Sequence, residues 1–197
     1  MSTPAVAFAN ACSSVGHRTV LTLNDDGSVN IPQTTGMPLV TIPFQVRYYN
    51  TVMPVPFTVS TNGWLSLVGA LTTSLSGTIP SASAPNSVLA PQWTDLYTRA
   101  SGICYDVVGA APNRRFIVQW QDLHYCCTDD PAVHLTFEVI IYEAPAGTNN
   151  TIDFVYSNLM GQSRTATVGI ENQTGTGGTV VPGSFAAPTA LRFTYVP

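Results

Sequence analysis

The sequence predicts an all-β fold, an antiparallel β-sandwich of about ten strands with long surface loops and almost no helix. Three observations carry this expectation. Thr, Val, Ile, Tyr, Phe and Trp dominate, punctuated by 15 Gly and 15 Pro, which is the chemistry of strands and turns. No stretch of 12 residues keeps a helical apolar period free of Pro or Gly. Short apolar runs recur instead at the spacing of an antiparallel sandwich or barrel. The 197 residues show no internal repeat and no linker-like change of composition, so one domain over 1–197 is expected. A chain of this length can bury a core without staples.

Taken in order, strands are expected at Thr19–Leu23 and Thr41–Tyr48. Val55–Ser60 and Trp64–Val68 form a hairpin through Thr61-Asn62-Gly63. Asn-Gly is the favoured pair of a type I′ turn, whose two central residues need positive φ. Leu71–Asn86, rich in Ser, Thr and Pro, reads as a long surface loop. A second hairpin runs from Gly102–Val108 through Gly109–Asn113 into Arg115–Gln121. Further strands are expected at Leu135–Glu143, Thr151–Tyr156, Thr165–Glu171 and Leu191–Val196. In the last, Leu191, Phe193 and Tyr195 alternate with Arg192 and Thr194, which marks one buried and one wet face.

The four cysteines, Cys12, Cys104, Cys126 and Cys127, are an even number that suits an oxidising compartment. If the second hairpin turns near Ala111, Cys104 lies opposite about Val118. Cys126 is then roughly 25 Å further along at about 3.3 Å per residue. This register favours Cys12–Cys104. It leaves the adjacent pair as a vicinal disulfide or as partners for another chain, with the remaining pairings open.

Composition excludes several function classes. The chain has no lysine, and its seven positive charges are all arginines. A Walker-type phosphate loop, Schiff-base catalysis, pyridoxal chemistry and a Lys–Asn isopeptide staple are therefore absent. Against 11 Asp and Glu the net charge is −4, and charged residues make up 9% of the chain, well below the roughly 25% of ordinary domains. Seven scattered arginines cannot tile a polyanion, so nucleic acid is not an expected partner. No apolar run reaches the roughly 18 residues of a membrane span, and no membrane insertion is expected. The first positive residue is Arg18, so the N-terminus does not read as an intact signal peptide.

The segments in order carry a family resemblance. Leu23-Asn-Asp-Asp-Gly-Ser28 is followed by Ile42-Pro-Phe-Gln-Val46, Phe57-Thr-Val-Ser-Thr-Asn-Gly-Trp-Leu-Ser66 and Leu89-Ala-Pro-Gln-Trp-Thr-Asp-Leu96. Then come Asn113-Arg-Arg-Phe-Ile-Val-Gln-Trp120, Leu135–Glu143, Ile152-Asp-Phe-Val-Tyr156 and Ala166-Thr-Val-Gly-Ile-Glu-Asn172. This succession resembles the nidogen-like extracellular domain, particularly its bacterial secreted versions, over about residues 19–172, with a C-terminal strand at 190–196. The chain departs from the family pattern at Arg47-Tyr48-Tyr49-Asn50, where Phe-Tyr-Gly is usual, at Gln92 in place of an aromatic, and at Thr94 in place of Asp. The resemblance implies a non-catalytic extracellular or cell-surface domain of matrix and adhesive proteins.

Candidate site residues follow. Asp25 and Asp26 could offer hard oxygens to calcium, but Asp-Gly is equally a turn signature. Asp95, between Trp93 and Leu96, is expected as a buried hydrogen-bond acceptor bracing its loop. His124, Cys126, Cys127, Asp129, Asp130 and His134 are competent ligands, but their spacing fits no zinc pattern, so a polar loop is expected and no cofactor. No Gly-x-Ser-x-Gly elbow is present, and Glu138 and Glu143, five apart on a strand, face opposite sides. An enzyme is not expected. Trp64 and Trp120 are expected to fill the core. Tyr48, Tyr49, Tyr97 and Tyr125, near strand ends, are the candidates for exposed contact with a partner or a glycan. The expected function is a structural or adhesive module that contacts surface or matrix proteins or other copies of itself. The alternative is a carbohydrate-binding module using those tyrosines.

Overall fold

The computed structural model describes residues 6–14, 18–21, 25–31, 42–54, 56–69, 71–99, 102–127, 129–183 and 186–196. In chain order the first strands are β1 (Arg18–Leu21), β2 (Ser28–Ile31), β3 (Arg47–Tyr48), β4 (Thr51–Val52) and β5 (Phe57–Ser60). Next come β6 (Trp64–Ser66), β7 (Val88–Trp93), β8 (Leu96–Thr98), β9 (Ile103–Val108) and β10 (Arg115–Tyr125). The last are β11 (His134–Tyr142), β12 (Ile152–Met160), β13 (Thr167–Glu171), β14 (Gly178–Val180) and β15 (Thr189–Phe193). Seven strands make one antiparallel sheet in the order β1-β9-β10-β11-β12-β15, with β8 paired to the end of β10. Six make the other in the order β14-β13-β7-β6-β5-β2, and β3-β4 is a separate ribbon. The all-β sandwich is as expected, and the one helical element among the described residues is a 3₁₀ turn at Ala11–Ser13.

The sheets hold thirteen strands rather than about ten because several are too short or too irregular to show a period. β7 contains Pro91 and is buried on both faces, and β14 is Gly-Thr-Val. The expected strand at Thr41–Tyr48 shrinks to Arg47–Tyr48, with Thr41 outside the described residues. The first expected strand is seen as Arg18–Leu21, and 22–23 lie outside the described residues. The 71–87 segment has no strand, as its composition suggests.

Between the sheets lie Phe57, Val59, Leu65 and Leu89 from one side and Phe116, Val118, Trp120, Phe137, Val139, Phe154 and Tyr156 from the other. Trp120 stacks on Phe137 at 5.3 Å, and its Nε1 donates across the sandwich to the Ser60 carbonyl at 2.8 Å. Tyr156 donates its hydroxyl to the Pro91 carbonyl at 2.7 Å. Polar atoms of large side chains thus find partners on the facing sheet, as buried donors must.

The outer faces are buried as well. On the larger sheet Ile117, Ile140, Val155 and Ala190 are covered by residues 6–14, which contribute Val6, Phe8, Ala9 and Ala11. This strap is tied down by the Cys12–Cys104 disulfide, by the Cys12 amide donating to Gln119 Oε1 at 3.1 Å, and by Ser14 Oγ donating to Asp106. On the smaller sheet Trp64, Val88, Ala90 and Trp93 are covered by the 71–87 segment. Both indole N–H groups donate to the Ser74 carbonyl, at 3.1 and 3.3 Å. Gly77 lies flat on the Trp93 ring, where a Cβ would come within 2.2 Å of a ring carbon. Trp64 therefore fills an outer core under a loop rather than the space between the sheets.

One ionisable group is sealed beneath the strap. Glu138 has no exposed surface, accepts the Ala9 amide at 2.7 Å through Oε1, and has no partner for Oε2 among the described residues. Burial pushes its pKa up from 4.5 to about 7, against the opposing pull of the Ala9 amide and Arg115. A raised carboxyl pKa makes the protonated form the stabilising one. Stability should therefore be greatest at pH below about 4.5 and fall as pH rises through about 7, by about 1.4 kcal/mol per pH unit at most. Glu138→Gln keeps the Oε1 acceptor without the charge. Urea unfolding of the variant should lose this slope and show higher stability than the parent at pH 8. A slope that persists in the variant would assign it to other groups.

Candidate functional site

At one end of the sandwich the β3-β4 ribbon is clamped against the loop before β12. β3 and β4 pair Tyr48 with Thr51, leaving Tyr49-Asn50 as a two-residue turn with φ of +45° and +61°. Two successive positive φ values are the signature of a type I′ turn. The expected I′ site, Asn62-Gly63, is different: Ser60 pairs with Trp64 across a three-residue loop in which Gly63 alone has positive φ. Gly63 is needed there, because a Cβ would come within 2.1 Å of the Gln92 carbonyl oxygen. Asn62 is buried, and its side chain accepts the Leu96 amide at 2.9 Å instead of shaping an exposed turn.

Asparagine side chains hold the ribbon. The Arg47 amide donates to Asn150 Oδ1 at 2.6 Å, and Asn150 Nδ2 donates to the Tyr142 carbonyl at 2.6 Å. The Asn50 amide donates to Asn149 Oδ1 at 2.8 Å, and Asn149 Nδ2 returns a bond to Asn50 Oδ1 at 2.7 Å. Tyr48 is only 4% exposed, with its ring edge-on to Tyr49 at 4.7 Å and its carbonyl accepting from Gln173. Tyr49 is half-buried and meets Tyr195 edge-on at 6.3 Å. Tyr195 stands beyond the end of β15 and is 42% exposed, a correction to the buried position that alternation suggests. Strand alternation stops where pairing stops. Tyr49, Tyr195, Asn149, Thr179 and Thr194 surround a cleft of about 190 Å³.

The opposite end, about 33 Å away along the eleven residues of β10 at the usual rise, holds the other candidates. Cys126 and Cys127 form a vicinal disulfide directly after β10, so neither is a thiolate ligand nor a partner for another chain. Cys104 lies opposite Gln119, one residue from the expected register, and is joined to Cys12 as the hairpin geometry favours. Tyr125 is 5% exposed: its hydroxyl accepts the Ser163 and Arg164 amides at 3.3 Å, and the Arg164 guanidinium lies over its ring at 5.0 Å. Tyr48 and Tyr125 are thus buried where exposure was expected, because their rings pack inward and each hydroxyl has a nearby protein partner. Tyr97 is half-buried against His124 at 5.0 Å. The ligand-competent set around it is dispersed, with His134 on Asp122 at 2.6 Å and His124 3.7 Å from Asp129.

The Asp25-Asp26 turn does meet the loop of Asp95. Thr61 bonds reciprocally with Gly27, its Oγ1 accepting the Gly27 amide at 3.1 Å, which docks the turn on the β5-β6 loop. One oxygen of each of Asp25, Asp26 and Asp95 falls in a group spanning no more than 4.8 Å, the kind of oxygen set a hard cation takes. The Asp95 side chain is not the expected satisfied acceptor: its Oδ1 and that of Asp25 are buried without a hydrogen-bond partner among the described residues. The brace is its backbone, whose carbonyl accepts the Cys126 amide at 3.2 Å.

A family model described as NIDO related matches residues 7–195, which takes in both sheets and both ends of the sandwich. The chain belongs to the NIDO-related family. No curated protein and no solved structure matches it. The match reaches beyond the expected 19–172 core to include the strap and β15, and the family is extracellular in type.

Sequence reasoning missed two parts of this NIDO-related domain. Tyr195 carried an alternation signal that ends with its strand. The meeting of two acidic motifs some seventy residues apart had no local signal at all. That meeting has a measurable consequence. The pKa values of Asp25 and Asp95 are both raised, first by burial and then by the neighbouring aspartates. Their stabilising form is therefore the protonated one, and stability is lost as pH rises through those raised values. Asp95→Asn in chelator-containing buffer should raise the unfolding midpoint at pH 7, by less than about 1 kcal/mol because the groups are partly solvated. The gain should vanish near pH 3. An equal gain at both pH values would contradict the electrostatic reading.

Proposed function

We propose that this NIDO-related domain is a non-catalytic extracellular module that contacts other proteins, copies of itself included, through the outer side of its smaller sheet. One observation carries the reading. From Tyr48 to Thr94 the chain contains no Asp, Glu, Lys, Arg or His. This run supplies β4 to β7 and the whole 71–87 cover, so one side of the sandwich is built almost without charge. The cover leaves Leu71 and Leu75 exposed, at 62% and 41%. A neutral surface with exposed leucines lowers the repulsion between copies and offers apolar area to bury.

The compartment reading is supported by the family and by two disulfides among the described residues. No helix among the described residues is long and apolar enough to cross a membrane. The non-catalytic reading is supported by where the carboxylates lie. Glu138 is under the strap, Glu143 is held by Arg114 Nε at 2.8 Å, and Asp153 by Arg192 through two bonds at 2.8 and 2.7 Å.

Light scattering and negative-stain microscopy across a concentration series test the contact. The domain should associate as concentration rises, and Leu71→Glu/Leu75→Glu should remain monomeric with an unchanged melting temperature. A strictly monomeric parent at high concentration would count against self-contact.

A further inference from the structure

The cleft at the ribbon end is a separate surface, and three features define what it can hold. Its space of about 190 Å³ equals about six waters, well below the roughly 300 Å³ at which drug-sized pockets begin. Its lining contains no Asp, Glu, Lys, Arg or His, so nothing in it complements a carboxylate, phosphate or ammonium group. Its polar groups are hydroxyls and amides. Tyr195 accepts the Asn50 Nδ2 donor at 2.9 Å, which leaves the Tyr195 hydroxyl hydrogen to donate outward. Thr194 and Thr179 add hydroxyls that can each donate and accept, the Thr179 hydroxyl lying in reach of that of Tyr49.

The backbone adds a fourth feature. Tyr49 sits at φ +45°, a left-handed region that a residue with a Cβ enters at a cost. Asparagine and glycine enter it at less cost, so the turn itself gains nothing from an aromatic residue. What the aromatic residue supplies is a ring that packs edge-on against Tyr48 and forms the cleft wall beside Tyr195.

We propose that the cleft lined by Tyr49 and Tyr195 binds one neutral pyranose ring of a glycan, with the face of one tyrosine against its C–H face, the edge of the other beside it, and hydroxyls of Tyr195, Thr179 and Thr194 meeting its hydroxyls. Sugar rings present both donors and acceptors around an apolar face, which matches this lining group for group. A proline-rich peptide offers carbonyl acceptors along an extended path, and the compact cleft has no such length. The site is independent of the neutral leucine-bearing side, and either can fail without the other.

The test uses the whole chain with methyl β-glucopyranoside, methyl β-galactopyranoside and methyl α-mannopyranoside in saturation-transfer NMR, alongside an array of neutral and acidic glycans and a polyproline peptide. At least one neutral glycoside should give a signal. Tyr49→Asn, which suits the turn, should lower binding at least tenfold while the melting temperature stays within a few degrees. Tyr195→Ala, at a position outside any strand, should do the same. Failure of every neutral sugar would overturn the proposal, as would sugar binding that both variants retain. Preference for acidic glycans or for the polyproline peptide would overturn it too.

Discussion

The structure depends on one constraint: its central strands are buried on both faces. In β10, Phe116, Val118 and Trp120 point between the sheets while Ile117 points outward, and all of them are fully buried. β11 and β12 repeat this with Ile140 and Val155. A two-sheet sandwich has only one interior, so strands of this kind leave apolar area on the outside that needs its own cover. The chain supplies two. Residues 6–14 are stapled over the larger sheet by Cys12–Cys104, and 71–87 is pinned over the smaller by two tryptophans that share one carbonyl.

How far this is legible from sequence depends on the range of the interaction. Hairpins such as β9-β10 follow from local alternation and turn residues, and the Cys12–Cys104 pair follows from their register to within one residue. Type I′ geometry does not follow from Asn-Gly alone. At Asn62-Gly63 the side chain of Asn62 is drawn inward by the Leu96 amide, while the asparagines of the β12 loop hold Tyr49-Asn50 in the I′ shape. The outer covers are invisible to periodicity, since Ser/Thr-rich loops and an N-terminal segment carry no repeat. The same limit applies to the candidate sites. Tyr48 and Tyr49 mark the right region, but Tyr48 faces inward and the exposed partner, Tyr195, comes from the other end of the chain.

The two proposed surfaces rest on different parts of this framework. The neutral side is the cover of the smaller sheet, and its leucines are presented by a segment whose Ser74 carbonyl and Gly77 backbone are fixed by Trp64 and Trp93. The cleft lies where β12, β14 and β15 meet a ribbon fastened through Asn149 and Asn150, with Tyr49 on the ribbon turn and Tyr195 just past β15. The chain has no lysine, and Arg99, Arg114 and Arg192 are each engaged by a carboxylate, so both proposed surfaces rely on aromatic, hydroxyl and apolar groups.

Native-state hydrogen exchange tests the two-sided core most directly. If residues 6–14 are part of that core, the Ala9 and Cys12 amides, bonded to Glu138 and Gln119, should exchange as slowly as those of β10 and β11 in the oxidised protein. Exchange of these two amides within seconds, at the rate of a fraying terminus, would contradict the account.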